Sequence, residues 1–329
     1  MGEKIERELK WAVLGTGIIA NEMAQALEKM GKKLYAVANR THSKAVEFAG
    51  KYGVQKIYDK IEDMFTDEET DIIYITTPHN THIKFMIEAL KNGKHVLCEK
   101  SITLNSEELE EAVEIAKEKN LILGEAMTIF NMPLYTELLE IVNSGKLGDV
   151  RMIQVNFGSY KEYDMSNRFF NRNLAGGALL DIGVYAISIT RLFMLSKPDN
   201  VLSQVKYAPT GVDEQVGIIM MNKEQQMSTI ALTLHSKQPK RVVIACEKAY
   251  IEITEYPRAD KAKIVYTETG EVEEITAGMA SNALQYELQN MEESVKTGIN
   301  KMKLEYTIDV MDIMTKLRKE WGMTYPEEE

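Results

Sequence analysis

Gly15-Thr16-Gly17-Ile18-Ile19-Ala20 is a GxGxxA pattern directly after the apolar run 10–14. It carries chemistry only with a strand before it and a helix after it. In that context Gly15 permits a tight turn, Gly17 lets backbone N–H groups approach a pyrophosphate, and Ala20 keeps helix and strand close. The helix N-terminus favours the anion. Thr16, Ile18 and Ile19 complete the loop expected to line a dinucleotide. Where a carboxylate commonly binds the ribose 2′-OH, the chain has Asn39 followed by Arg40. Asn does not repel a 2′-phosphate and Arg can pair with it. NADP(H) is therefore favoured, with NAD(H) as the second option. The alternative reading of Arg40 is an exposed loop arginine.

Three more segments hold reactive residue types. Thr76-Thr77-Pro78-His79-Asn80-Thr81-His82 falls where a later loop should cross the strand ends. Thr77, Pro78, Asn80 and His82 are read as cofactor-lining, because two histidines without a matching carboxylate or cysteine do not make a metal site. Glu99 and Lys100 end an apolar strand and so face a ligand crevice at its carboxyl edge. The alternative is a lysine escaping to solvent. Asp181 and Tyr185 are four apart and share a helix face. A helix-start aspartate and a packed tyrosine would show the same spacing. Arg168 and Arg172 upstream are either substrate contacts or a solvated helix entry.

Positioning these groups requires a frame, and the apolar pattern supplies one. Strands are expected at 10–14, 34–38, 71–77, 95–99 and 121–123, alternating with helices. Asn105, with Glu108 three residues on, predicts a capped helix over 106–119. This alternation is that of an α/β, doubly wound parallel sheet, a dinucleotide-binding domain over 1–126. The second domain, 127–329, is expected to be α+β. It shows a helix near 133–143, a strand at 150–157, a helix at 177–195, then strand after strand from 201 to 276. Ile230, Leu232 and Leu234 alternate with Thr229 and Thr233, as in a half-buried strand. Two helices close the chain. So large a sheet with so few covering helices predicts substrate binding and self-association, as a homodimer or larger, through this domain.

Composition narrows the function classes. A chain of 329 residues suits two domains. Its formal net charge of −11 argues against binding nucleic acid or an anionic membrane. Cys98 and Cys246 are the two cysteines, so a disulfide scaffold is not expected and a reducing, cytoplasmic setting is. The opening MGEKIERELK lacks an apolar signal core, and Gly2 lacks the downstream Ser/Thr of a myristoylation site. Ile182–Leu195 reads as too short to span a bilayer.

Taken in order, the GxGxxA, Thr-Thr-Pro-His-Asn-Thr-His, Gly-Lys-His-Val-Leu-Cys-Glu-Lys and Gly-Gly-Ala-Leu-Leu-Asp-Ile-Gly-Val-Tyr segments resemble the Gfo/Idh/MocA oxidoreductase family. The resemblance runs over most of the chain. Tyr185, Arg168, Arg172, Thr-Gly-Val-Asp at 210–213 and the ending Gly-Met-Thr-Tyr-Pro are most similar to its dihydrodiol dehydrogenase and sugar-oxidoreductase branch. The resemblance implies a Rossmann domain, an α+β domain, and hydride transfer between nicotinamide and a sugar, polyol, diol or related carbonyl compound. It implies Tyr185 as the general acid/base, Lys100 as the family's catalytic lysine and Asp181 beside the substrate. Free tyrosine has a pKa of about 10, and a nearby ammonium lowers it. Lys100 is thus expected to tune Tyr185, with Asp181 anchoring Lys100 or a substrate hydroxyl. Two departures stand out. Ser101 replaces the family's proline, which implies a looser turn after Lys100. Residues 125–131 lack the family's Gly-Phe-Asn segment, so substrate identity does not carry over. The alternative function is a non-catalytic NADP(H)-binding redox sensor on the same fold; Lys100, Asp181 and Tyr185 together favour the enzyme.

Overall fold

The computed structural model describes residues 7–329, so Gly2 and most of the stretch read for targeting signals lie outside the described residues. The chain forms two compact units. The first runs to Met127 and takes back Asn282–Leu304, while the second comprises Thr128–Ser281 and Glu305–Glu329.

Six strands build the first unit: β1 (Trp11–Leu14), β2 (Ala36–Ala38), β3 (Lys56–Ile57), β4 (Ile72–Ile75), β5 (His95–Glu99) and β6 (Leu123–Ala126). They form a parallel sheet in the order β3-β2-β1-β4-β5-β6. β1, β2 and β4 are buried along their whole length, which is why they read as unbroken apolar runs. The order reverses between β1 and β4, where Leu14 lies opposite Ile75. A ligand crevice opens beyond the carboxyl ends of such a pair. Asn105 caps the helix Ser106–Glu118 as its spacing predicts, accepting from Glu108 N at 2.9 Å.

The expected single cut after residue 126 needs correction. Helix Ala283–Thr297 belongs to the first unit, where Leu284, Leu288, Met291 and Val295 enter the core with Trp11, Met23 and Leu27. Trp11 Nε1 donates to Glu292 Oε1 at 3.0 Å. The stripe itself is legible, but its partner lies far away along the chain. The sequence pattern also does not anticipate β3, a two-residue strand with Lys56 exposed, or the short helix Ile61–Thr66. Neither is long enough to show a period.

The second unit holds β7 (Val150–Gly158), β8 (Asn200–Tyr207), β9 (Asp213–Met221), β10 (Met227–Thr233), β11 (Gln238–Cys246), β12 (Ala249–Thr254), β13 (Lys261–Tyr266) and β14 (Val272–Thr276). Their order is β14-β13-β12-β11-β7-β10-β9-β8. All neighbours are antiparallel except β7 and β10, which run parallel. One face is buried, with Val216, Ile218 and Met220 of β9 beside Ile230 and Leu232 of β10. On the other face Leu202 lies opposite Ile219, and they are 63% and 46% exposed. The fold class is therefore the parallel α/β sheet plus mostly antiparallel α+β unit that the pattern predicts.

The expected continuous helix 177–195 is instead a π turn, Leu179–Gly183, leading into an α-helix, Val184–Phe193. The reading that this region is too short to span a bilayer also needs revision. Arg172–Phe193 is long and apolar enough by length and composition, but 83% of its apolar window is buried inside the chain, as in a core helix.

Candidate active site

In the first unit the turn after β1 has the geometry a dinucleotide needs. Gly15 sits at φ +110°, and a Cβ there would lie 2.5 Å from Thr76 Oγ1 and 3.0 Å from Thr76 O. Only glycine fits so close to the neighbouring strand end. Gly15 N donates to Ala38 O at 2.8 Å, tying the turn to β2. A Cβ on Gly17 would meet nothing within 4 Å, so the backbone is open at the helix N-terminus. Thr16 and Ile19 flank this opening, and Ile18 beside them is 82% exposed.

Asn39 follows β2 with its amide occupied, donating to Thr16 Oγ1 at 2.8 Å and accepting from Thr41 N at 2.8 Å. It braces the glycine turn. Arg40 is exposed and has no ion-pair partner among the described residues.

The loop after β4 lies over the next strand end. Thr76 Oγ1 donates to Leu14 O at 2.9 Å, and Thr81 Oγ1 to Thr77 Oγ1 at 2.8 Å. Pro78 is exposed and Asn80 half-buried beside it. His82 requires a correction as a cofactor-lining side chain. Its ring is fully buried, with Nε2 2.8 Å from Thr77 O and Nδ1 3.0 Å from Ser101 O. It stitches the β4 loop to the β5 loop. Burial lowers its pKa, against the carbonyls that favour the protonated ring.

The turn after Lys100 is correspondingly not loose, despite Ser101. His79 Nε2 lies 3.0 Å from Lys100 O, and Ile102 N donates to Glu125 Oε1 at 3.1 Å. The Lys100–Ser101 peptide is cis and Ser101 is fully buried. Two histidines and a buried glutamate hold the backbone of this turn. Sequence reading missed His79, Thr76 and Glu125 in these roles, because each acts on backbone carbonyl or amide groups that no side-chain pattern reveals. Glu99, at the end of β5, accepts a hydrogen bond from the buried Tyr74 hydroxyl. Burial, then the Glu99 charge, pushes the Tyr74 phenol well up.

In the second unit Asp181 lies in the π turn and Tyr185 one turn on, in the α-helix. π turns of this kind recur at functional sites. Every residue from Ala175 to Thr190 is buried except Tyr185, which is half-exposed. Asp181 is 9% exposed, and its Oδ1 lies 3.6 Å from Arg168 Nη2. The structure therefore brings Arg168 to Asp181 and leaves Arg172 out. Arg172 Nε donates to Thr324 O at 2.8 Å, and its guanidinium pairs with Glu329. In this structure it fastens the C-terminal segment.

Comparison with known proteins agrees with this frame. Residues 9–127 match the model of the oxidoreductase family with the NAD-binding Rossmann fold, and residues 135–252 match the GFO/IDH/MocA C-terminal domain. A trans-1,2-dihydrobenzene-1,2-diol dehydrogenase of Xenopus laevis is 30% identical, over 96% of this chain and 99% of that one. KijD10, a 3-ketoreductase from Actinomadura kijaniata solved with NADP and TDP-benzene, superposes with a TM-score of 0.85 at 19% identity, covering 95% of this chain and 98% of that one. A levoglucosan dehydrogenase solved with NADH also gives 0.85, at 16% identity over 96% and 97%. At these identities the two structures speak for the fold alone. With both units matched and a 30% identical relative spanning nearly its full length, the chain belongs to the Gfo/Idh/MocA family of NAD(P)-dependent oxidoreductases.

Proposed function

We propose that this protein is an NADP(H)-preferring dehydrogenase or reductase of a diol, sugar or polyol, or of the corresponding carbonyl compound, with Tyr185 as its proton donor. The observation that carries the reading is Tyr185 itself, the one half-exposed side chain on an otherwise buried stretch, a turn from Asp181. The diol dehydrogenase relative supports the substrate class.

When bound, the nicotinamide supplies or accepts the hydride. Gly15, Thr16, Gly17, Ile18 and Ile19 would hold the pyrophosphate side, with Asn39 bracing the turn. Thr77, Pro78 and Asn80 would flank the nicotinamide side, and Glu99 fixes the end of β5. This chain's own work is the proton: the Tyr185 hydroxyl gives it to the carbonyl oxygen in reduction and takes it back in oxidation. Lys100 lowers the phenol's pKa, which otherwise stands near 10, too high for a base at neutrality. Asp181, with Arg168, binds a substrate hydroxyl. A panel of sugars, polyols and diols with NADP+, followed at the nicotinamide absorbance, tests the reading. Turnover on one class supports it, and none on any class counts against it.

Arg40 is expected to read the 2′-phosphate. Arg40→Ala should weaken NADP(H) by about 10- to 150-fold, the loss of one charge-assisted hydrogen bond, and leave NAD(H) nearly unchanged. Equal losses in a fluorescence titration would show that Arg40 does not discriminate.

Self-association is proposed through the open face of the second unit's sheet. Leu202 and Ile219, paired across β8 and β9, are exposed there, with Tyr250 on the same face, and exposed apolar pairs of this kind are often covered by a partner. Light scattering should give at least twice the chain mass, and a monomer at working concentration would refute it.

A further inference from the structure

Asp213 is a fully buried carboxylate of the second unit that the proposed reaction leaves unexplained. It opens β9, is 0% exposed, and one carboxylate oxygen has no hydrogen-bond partner. Burial pushes its pKa up to about 7, opposed by the backbone N–H groups of Leu179 and Asp213 itself, then the Arg318 charge and the N–H of Ala178. Burying a carboxylate this way costs stability, so a group of this kind calls for an explanation.

Its contacts point to one. Oδ2 accepts from Leu179 N at 2.6 Å, and Leu179 is the first residue of the π turn that carries Asp181. Gly177, at φ +127°, lies against the other oxygen: a Cβ there would sit 2.1 Å from Asp213 Oδ1. Any side chain at 177 would push the carboxylate off the turn, which explains a glycine at that point. The preceding carbonyl is held too, because the buried Tyr325 hydroxyl donates to Gly176 O at 2.7 Å. Tyr325 lies under the Arg318 guanidinium at 4.7 Å, and Arg318 pairs with Glu328 through two bonds of 2.7 Å. The end of a strand and the C-terminal segment thus converge on Gly176, Gly177 and Leu179, at the entry to the π turn.

We infer that Asp213 is a positioning residue for the reaction: its carboxylate sets the first turn of the helix segment that presents Asp181 and Tyr185. This rests on the reading of Tyr185 as proton donor. A hydroxyl that must meet a developing alkoxide tolerates little displacement, and a misplacement of roughly 1 Å can cost about 100-fold in rate.

The test compares Asp213→Ala, Asp213→Asn and Tyr185→Phe, each assayed for kcat, substrate KM and NADPH Kd, with Tm measured alongside. Asp213→Ala should lower kcat about 10- to 100-fold and raise substrate KM, because the same turn carries Asp181, while NADPH Kd stays within about 2-fold. Asp213→Asn keeps an acceptor for Leu179 N and should recover kcat to within about 5-fold of wild type. Should the alanine variant not fold, the asparagine and a Tyr325→Phe variant decide. A folded Tyr325→Phe with kcat about 3- to 10-fold down and unchanged Kd supports the inference. Normal kcat in every folded variant overturns it, as does a kcat loss that merely tracks Tm and is not rescued by asparagine. If Tyr185→Phe alone keeps normal turnover, the reading of Tyr185 fails; if only the Asp213 variants do, the positioning role fails and that reading stands.

Discussion

Tyr185→Phe is expected to lower kcat by about 10²- to 10⁴-fold while NADP(H) affinity changes little. Phenylalanine keeps the ring and its packing against Phe157, whose centroid lies 6.1 Å away, so the helix should stay in place. Only the transferable proton is lost. The nucleotide-binding turn belongs to the other unit, which is why affinity and turnover should separate. Near-normal turnover, with chemistry shown to limit the rate, would mean that another group or water moves the proton.

The second large effect is expected at Lys100. Lys100→Met keeps the length of the side chain and removes its charge, and kcat should fall by roughly 10²- to 10³-fold. The backbone around it should not move, because His79 holds the Lys100 carbonyl and His82 holds that of Ser101. Losing an ammonium that favours phenolate raises the tyrosine pKa. The pH profile for oxidation should therefore shift to higher pH in Lys100→Met. Groups that act as a unit are strongly non-additive, so the double variant with Tyr185→Phe should be little slower than the worse single one. Additive losses would show that the two residues act separately.

The frame was largely legible in the amino-acid sequence, for a physical reason. β1, β4 and β5 are short, apolar and ended by glycine, a Thr-Thr-Pro loop and Lys100, so neighbouring residues alone identify them. The Asn105 cap was legible on the same terms, since both partners lie within three residues. What escaped depends on distant parts of the chain. Helix Ala283–Thr297 has an ordinary amphipathic pattern, and nothing in it says that Trp11 is its partner. Arg172 looks like a site arginine until the C-terminal Thr324 and Glu329 take it. His82 sits in a loop suited to a cofactor, yet its two nitrogens are spent on carbonyls from two loops. The π turn at Asp181 shows no local signature either. It forms where Asp213 anchors the turn from 34 residues away.

The most direct measurement of the central claim is a single turnover with NADPH carrying deuterium at both C4 positions of the nicotinamide, in the presence of carbonyl forms of sugars, polyols and diols. The expected result is deuterium on the new carbinol carbon of one substrate class, with NADP+ formed in equal amount. Tight NADPH binding with no deuterium transferred to any of them would contradict the claim, and would make the protein a nucleotide-binding redox sensor on this fold.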